Sequence, residues 1–425
     1  MHLSTRAQQV SNASENAVIW QVMSNLWDPK DNPDGYISLG IAENKLMHDE
    51  LSKHIHDNFS LSHKAFAYSD SPSGSKQLKK AISDFLNRYL KPVRPLEPGH
   101  VSVTNGCSSA IEHLSWALAN EGEAFLLGRP YYGTLDSDLT LRFGNKLVPA
   151  SFHNVDPLSE NAIDAYERAL VDIQADGRKV SAIIVSHPHN PLGRCYPRQV
   201  LIGLMKLCEK YQLHFISDEI YALSVWENSI DHPAPVRFDS VLSIDTAGVI
   251  DPSRVHVVWG IAKDFGANGI RVGAVLSQSN PTLHNALVPA GVYSQVSSLS
   301  EHVTINMLQD SAWVDSFIET NRKRLSETYG FVVEWARRHD IEYAQGTNAA
   351  LFVWANLGQF YRRRHFLAKT ADVADVVEQR LLDRRVFVAS GKDFGAENTD
   401  WFRIVFGQDG VYLGKGLDRI IAALG

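Results

Sequence analysis

The feature that most constrains this chain is an alternation. Short apolar runs at 101–104, 124–128, 182–186, 214–217, 255–259 and 272–277 are interleaved with stretches at 77–89, 109–119, 162–174 and 198–211 whose apolar residues recur with helical spacing. A run that is apolar on both of its faces has to be covered on both. Helices between such runs supply the cover, so the pattern predicts a parallel α/β sheet. Past about residue 300 the rhythm changes. A long helical stretch at 313–339 precedes strand-like runs at 350–355, 387–389 and 401–406 and a terminal helix at 412–424. That order belongs to an α+β unit. The expected division is a large α/β domain over residues 46–300 and a smaller one built from both chain ends, 1–45 with 301–425.

With 44% hydrophobic and 21% charged residues among 425, the chain has ample core material, and intrinsic disorder is excluded for the molecule as a whole. A net charge of −7 gives no electrostatic footprint for nucleic acid or an anionic membrane. No apolar run is long enough to span a bilayer, and the first residues carry no apolar core of the signal-peptide kind. Cys107, Cys195 and Cys208 form no C-x-x-C pair, so neither a disulfide framework nor a zinc ribbon fits. The expectation is a cytoplasmic protein of enzyme size. The runs Arg322-Lys323-Arg324 and Arg362-Arg363-Arg364-His365 fall in helical patterns and read as solvated helix faces.

Four stretches carry chemistry. In the first, the apolar strand 255–259 ends in Gly260, with Lys263 just beyond and Arg271 eight residues further on. A lysine beside a buried strand is costly as an ammonium, but not once its amine is condensed with an aldehyde. Arg271 offers a fork of donors suited to a phosphate. An ordinary surface loop would read the same way in isolation. In the second, the strand 214–217 runs into Asp218, with Tyr221 three residues later. A carboxylate at the carboxyl end of a parallel strand faces the usual ligand crevice, and a pyridinium cofactor needs one against its ring nitrogen. Capping of a following helix by Ser217 or Asp218 is the plainer reading. In the third, His187-Pro188-His189-Asn190-Pro191 presents the Asn190 amide on a proline-shaped turn. Two histidines without a third ligand do not make a metal site. In the fourth, Gly106-Cys107-Ser108-Ser109 joins a strand to a helix. Small residues at a helix N-terminus leave N–H groups free for an anion, although two serines there also make a plain cap. Cys107 has no histidine near it in sequence and reads as a small packing residue.

Taken in order, these stretches resemble the fold type I pyridoxal-phosphate enzymes of the class I/II aminotransferase superfamily. They are most similar to its 1-aminocyclopropane-1-carboxylate (ACC) synthase-like branch. Asn32-Pro33-Asp34-Gly35 followed by Leu39-Gly40-Ile41-Ala42-Glu43-Asn44-Lys45-Leu46 is similar to that branch's N-P-D-G…G-L-A-E-N-Q-L. Pro130-Tyr131-Tyr132-Gly133-Thr134-Leu135-Asp136-Ser137-Asp138-Leu139 is similar to its P-Y-Y-P-G-F-D-R-D-L. Segments 346–352 and 401–404 match as well, and the likeness covers about residues 30–410. The resemblance implies a mostly parallel seven-stranded sheet flanked by helices, with a smaller α+β domain closing over it. It also implies pyridoxal 5'-phosphate as cofactor, an amino acid as substrate, and a homodimer with shared active sites.

By the same resemblance, Lys263 would carry the cofactor as a Schiff base and then move protons at the substrate α-carbon. Asp218 would pair with the pyridine nitrogen. Asn190 and Tyr221 would bond its phenolic oxygen, and Tyr132 would stack on the ring. Gly106, Cys107 and Ser108 would cradle the phosphate, with Arg271 as counter-charge. Arg403 would clamp the substrate carboxylate, with Asn190 and Glu43 beside it, and Tyr68 would reach a phosphate across the dimer interface. Three departures stand out. The family's S-x-S-K is Gly260-Ile261-Ala262-Lys263, which removes a phosphate-binding hydroxyl and one or two hydrogen bonds of about 1 kcal/mol each. Lys45 replaces a glutamine, and the N-P-Y-F-x-G-W signature of ACC synthases is absent near Asn16. The expected activity is a carbon–sulfur lyase acting on a sulfur-bearing α-amino acid, S-adenosylmethionine or a cysteine S-conjugate. The alternative is a plain aminotransferase. A binding-only role sits poorly with Lys263 in place.

Overall fold

All six apolar runs become strands of one sheet, and a seventh strand joins them. The computed structural model describes residues 3–15, 17–231, 235–368 and 372–425. The strands are β1 (Val101–Thr104), β2 (Ala124–Gly128), β3 (Lys146–Ala150), β4 (Val180–Ser186), β5 (His214–Asp218), β6 (Val255–Gly260) and β7 (Gly273–Leu276). Their spatial order is β1-β7-β6-β5-β4-β2-β3. The strand that periodicity did not reveal, β3, lies at an edge and buries fully only Ala150. An edge strand covered on one side needs no continuous apolar run. The β2–β3, β2–β4, β4–β5 and β5–β6 pairs are parallel. Only β7 runs backwards, antiparallel to both β1 and β6.

That one reversal positions the site. Strand β6 ends and β7 begins at the same edge, with Gly260 paired to Gly273. The whole 261–272 connection therefore lies over the carboxyl ends of the parallel strands. Those ends are where ligands bind in open α/β sheets. Helix α1 (Cys107–Leu118) starts directly after β1 at the same edge and buries Ala110, Ile111 and Leu114 against the sheet.

Two large apolar clusters lie apart. One packs sheet residues such as Ile183, Phe215, Val257 and Trp259 under their helices. The other gathers Ile37, Leu39, Phe352, Phe402, Ile404 and Leu417. Each such side chain contributes roughly 1.5–3 kcal/mol when fully buried. Helix α2 (Ser311–Arg338) serves both: Val314, Phe317 and Ile318 enter the first cluster, and Leu325, Tyr329 and Val332 the second. Beyond it, β8 (Phe352–Asn356), β9 (Ala389–Ser390) and β10 (Trp401–Val405) form an antiparallel sheet in the order β9-β10-β8, and α3 (Gly410–Leu424) ends the chain.

The strand expected at 387–389 divides between two sheets. Val386–Phe387 pairs in parallel with Ile37–Ser38, whereas Ala389–Ser390 pairs with β10. The N-terminal segment is thereby stitched to the C-terminal one. Leu39 N–H donates to Phe387 O at 2.7 Å, and Ser38 N–H to the Tyr412 hydroxyl at 2.7 Å.

The charged runs need a correction, because only part of each is a solvated face. Arg362 is nearly buried in an ion pair with Asp400. Arg322 donates from Nε to Leu223 O at 2.9 Å, and Arg324 pairs with Glu50. Lys323, Arg363 and Arg364 do face solvent. On a helix every third or fourth residue shares a face, so three adjacent charges cannot all point outward. Among the described residues, no helix is long and apolar enough to cross a membrane.

Candidate active site

At the carboxyl edge of the sheet lies a cleft enclosing about 600 Å³, its mouth included. It is lined by Cys107, Ser108, Ile111, Tyr132, Asp138, Ser186, Asn190, Asp218, Ile220, Tyr221, Ala262, Lys263, Asn268 and Arg271. Eight of these were singled out from sequence. They arrive here because β1, β4, β5 and β6 all end at this edge.

The wall of the cleft beside α1 is shaped by glycines. Gly106 has φ +111°, which only glycine adopts readily, and a Cβ on it would run into the Arg271 guanidinium. A Cβ on Gly273 would stand 2.7 Å from Cys107 N, so glycine there lets the start of α1 approach the sheet. The first N–H groups of α1 have no intrahelical acceptor and carry the positive end of its dipole. Arg271, with φ +60°, is held over them by an Nη1 bond of 3.0 Å to Asn268 O.

Gly260 has a reason that its sequence context did not reveal. A Cβ there would meet Cys107 Sγ at 2.7 Å and Val272 O at 2.9 Å. The thiol fills the space that a side chain at 260 would take. Burial pushes that thiol far above its usual range, so Cys107 is packing and not a nucleophile.

The far side of the cleft is built from distant segments. Arg403, on β10, is 5% exposed. It donates from Nη1 to Asn190 Oδ1 at 2.9 Å and from Nη2 to Gly40 O at 2.6 Å. Its guanidinium lies 5.0 Å from the Phe352 ring centre and 4.8 Å from that of Phe394. Its Nε is buried without a partner. Because Arg403 takes the Asn190 carbonyl, the Nδ2 end of that amide is left to donate into the cleft. The ε-amine of Lys263 donates to Ala42 O at 2.6 Å.

Electrostatics set the protonation states. Burial lowers Lys263 to about 8, with Arg403 adding to the effect and Glu43 opposing it. Burial raises Asp218 to about 7, against one stabilising bond from Ile220 N–H at 3.3 Å. Asp218 is 4% exposed and makes no ion pair among the described residues, and the Lys263 charge offsets its burial only in part. A buried carboxylate in that condition calls for a positively charged partner from a ligand. Burial likewise raises the nearby Asp138 to about 6, against a bond from the Ser108 hydroxyl. Tyr221 is buried edge-on to Phe352, and burial raises its hydroxyl.

Four of the residues named from sequence do not line the cleft: Gly106 and Arg403 touch its lining residues Arg271 and Asn190, and two lie further off. Tyr68 is 97% exposed and does not reach it within one chain. Glu43 pairs with Lys45 at 3.8 Å, and the Lys45 ammonium also lies over the Tyr412 ring. The His187 ring is taken up by Asp239 O and Tyr196 N–H, and His189 accepts from Leu192 N–H. Of the cleft residues with a carboxylate or amide side chain, Asp138 and Asn268 were missed. Asp138 lay inside the quoted Tyr-Tyr motif, where nearby polar residues on both sides gave it no distinguishing mark. Asn268 sits in an irregular turn and had none either.

The aminotransferase class I and II family model matches residues 34–420. A "Probable inactive 1-aminocyclopropane-1-carboxylate synthase-like protein 2" of Mus musculus is 32% identical over 92% of this chain, which spans 66% of that protein, just under two thirds of its length. The "Probable aminotransferase gliI" of Aspergillus fumigatus is 31% identical over 92% of this chain and 89% of its own. Among solved structures, a tetra mutant of Thermus thermophilus aspartate aminotransferase complexed with tryptophan superposes with a TM-score of 0.76 over 100% of both chains at 20% identity, a likeness of fold. Asp218, buried without an ion-pair partner among the described residues, the Gly106–Arg271 cradle and the amine of Lys263 fit a phosphorylated pyridine aldehyde. The chain belongs to the aminotransferase class I and II family, in its ACC synthase-like branch, and its cofactor is pyridoxal 5'-phosphate.

Proposed function

We propose that the protein is a carbon–sulfur lyase acting on a sulfur-bearing α-amino acid, either S-adenosylmethionine or a cysteine S-conjugate. The observation that carries an amino-acid reaction is the convergence of Lys263 and Asp218 on one cleft, with Arg403 bonded to the cleft residue Asn190. The choice of lyase rests on likeness to the ACC synthase-like branch. When bound, pyridoxal phosphate draws electrons away from the substrate α-carbon.

The chain's own groups do the rest. Arg403 binds the α-carboxylate with the buried donors it already aims at Asn190 and Gly40. Lys263, lowered to about 8, holds a substantial neutral fraction at neutral pH and can take the α-proton. Asp218 would keep a proton on the pyridine nitrogen, and that positive partner would bring its own pKa back down. Asn190 and Tyr221 would donate to the phenolic oxygen. Ser108, Arg271 and the start of α1 would hold the phosphate. Tyr132 would cover the ring face. A second copy of the chain would bring Tyr68 to the partner's cleft.

Two relatives at 31% identity, from Aspergillus fumigatus and Leptosphaeria maculans, are named probable aminotransferases, which favours a second reading, amino-group transfer to a 2-oxo acid. Two assays separate them. Protein loaded with pyridoxal phosphate is given an S-substituted cysteine or S-adenosylmethionine, and pyruvate or ACC is measured. It is separately given an amino acid with a 2-oxo acid, and the new amino acid is measured. Pyruvate or ACC release is the expected result. Amino transfer without either overturns the lyase reading.

A further inference from the structure

We infer that Asn268 is a positioning residue for Lys263: its side-chain carbonyl accepts from Nζ and, with the Ala42 carbonyl, holds the ε-amine in place whenever that amine is unbonded. This rests on the reading of Lys263 as the amine that bonds the cofactor.

The amide of Asn268 has two orientations. In one, Nδ2 keeps a 3.3 Å bond to Ala42 O. The same orientation sets Nδ2 against the Lys263 amine and Oδ1 against the Ala262 carbonyl, donor on donor and acceptor on acceptor. In the other, Oδ1 accepts from Lys263 Nζ at 3.2 Å and Nδ2 donates to Ala262 O. Only the second satisfies both ends of the amide. An ammonium has three donors. Ala42 O takes one at 2.6 Å and Asn268 Oδ1 takes another.

The two acceptors come from different parts of the chain. Ala42 belongs to the N-terminal segment, and Asn268 to the 261–272 connection that also carries Lys263. The other charged or titratable groups acting on Nζ are Arg403 from β10, Glu43 from the N-terminal segment, Cys107 from α1, Arg271 from the same connection and Asp218 from β5. None of them bonds the amine. Asn268 is thus placed to favour its charged form, because a hydrogen bond to an ammonium is stronger than one to a neutral amine. Its main-chain carbonyl separately orients Arg271, a contact that side-chain substitution leaves in place.

The test mixes apoprotein with pyridoxal phosphate between about pH 6 and 10 and follows growth of the visible absorption band. The pH midpoint of the capture rate reports Lys263, whose neutral form reacts. Asn268→Ala removes an acceptor and should move the midpoint down by roughly 0.5–1 pH unit, whereas Asn268→Asp adds a negative charge and should move it up by a similar amount. Affinity of the apoprotein for inorganic phosphate should change less than about twofold in both variants, since Arg271 keeps its anchor. Unchanged midpoints, or shifts of the same sign in both variants, overturn the inference while leaving the cofactor reading intact. Wild-type protein that captures no pyridoxal phosphate overturns both.

Discussion

The two arginines of the cleft are held in opposite ways. Arg271 is exposed, lies eight residues from Lys263, and is anchored by one main-chain carbonyl three residues back. Arg403 is buried, flanked by Phe352 and Phe394, and bonded to groups 213 and 363 residues away. The phosphate side is therefore a local product of β1, β6, β7 and their turns. The carboxylate side exists only when both chain ends have docked. A cofactor grip of the first kind can form with the sheet. A substrate grip of the second kind reports complete folding.

The comparison can be broken by substitution, and the largest effect belongs to neither arginine. Lys263→Ala should abolish the visible band of protein loaded with pyridoxal phosphate and lower turnover by about 10⁴-fold or more. Absorbance and steady-state kinetics check both. Arg403→Leu comes next. It removes charge-assisted bonds to a substrate carboxylate and should lower kcat/KM by roughly 10²–10³-fold, while cofactor affinity shifts less than about threefold. Loss of cofactor in that variant would mean that the two sides are not separable.

Arg271→Leu should do the converse. Cofactor Kd rises by about 10- to 100-fold, as expected for one charge-assisted contact of about 1.5–3 kcal/mol. Restoring kcat with excess pyridoxal phosphate would confirm that the substrate side is untouched. The smallest effect is at Gly260. Adding the missing hydroxyl as Gly260→Ser should not tighten cofactor binding, because the new Cβ collides with Cys107 Sγ and costs about 1–3 kcal/mol of stability. Pairing it with Cys107→Ala makes room, and the double variant should recover both thermal stability and affinity. A single Gly260→Ser variant that binds more tightly without loss of Tm would show that the thiol does not fill that space.

Legibility in the sequence followed the same division. The six apolar runs were readable because strands buried on both faces must be apolar throughout. Edge strand β3 was not, because one open side relaxes that demand. Asp218, Lys263, Asn190 and the Gly106–Ser108 turn were readable because each sits just past a strand end, where a polar residue after an apolar run stands out. Arg403 was named through resemblance, since an arginine inside a strand carries no local mark of its partners. Asn268 was missed for the same reason. Its neighbours along the chain say nothing about the Ala42 carbonyl, which also accepts from the Lys263 amine.

The sequence by itself determined the alternation that makes the sheet, the turns that leave donors at its edge, and the family, because these depend on residues close together in the chain. Only the tertiary structure decided which groups meet across the cleft. It placed Arg403 against Gly40, filled the space beside Gly260 with a thiol, and left Asp218 buried with its charge only partly offset by Lys263. Those outcomes are set by distance and desolvation, and both are fixed only when segments hundreds of residues apart pack together.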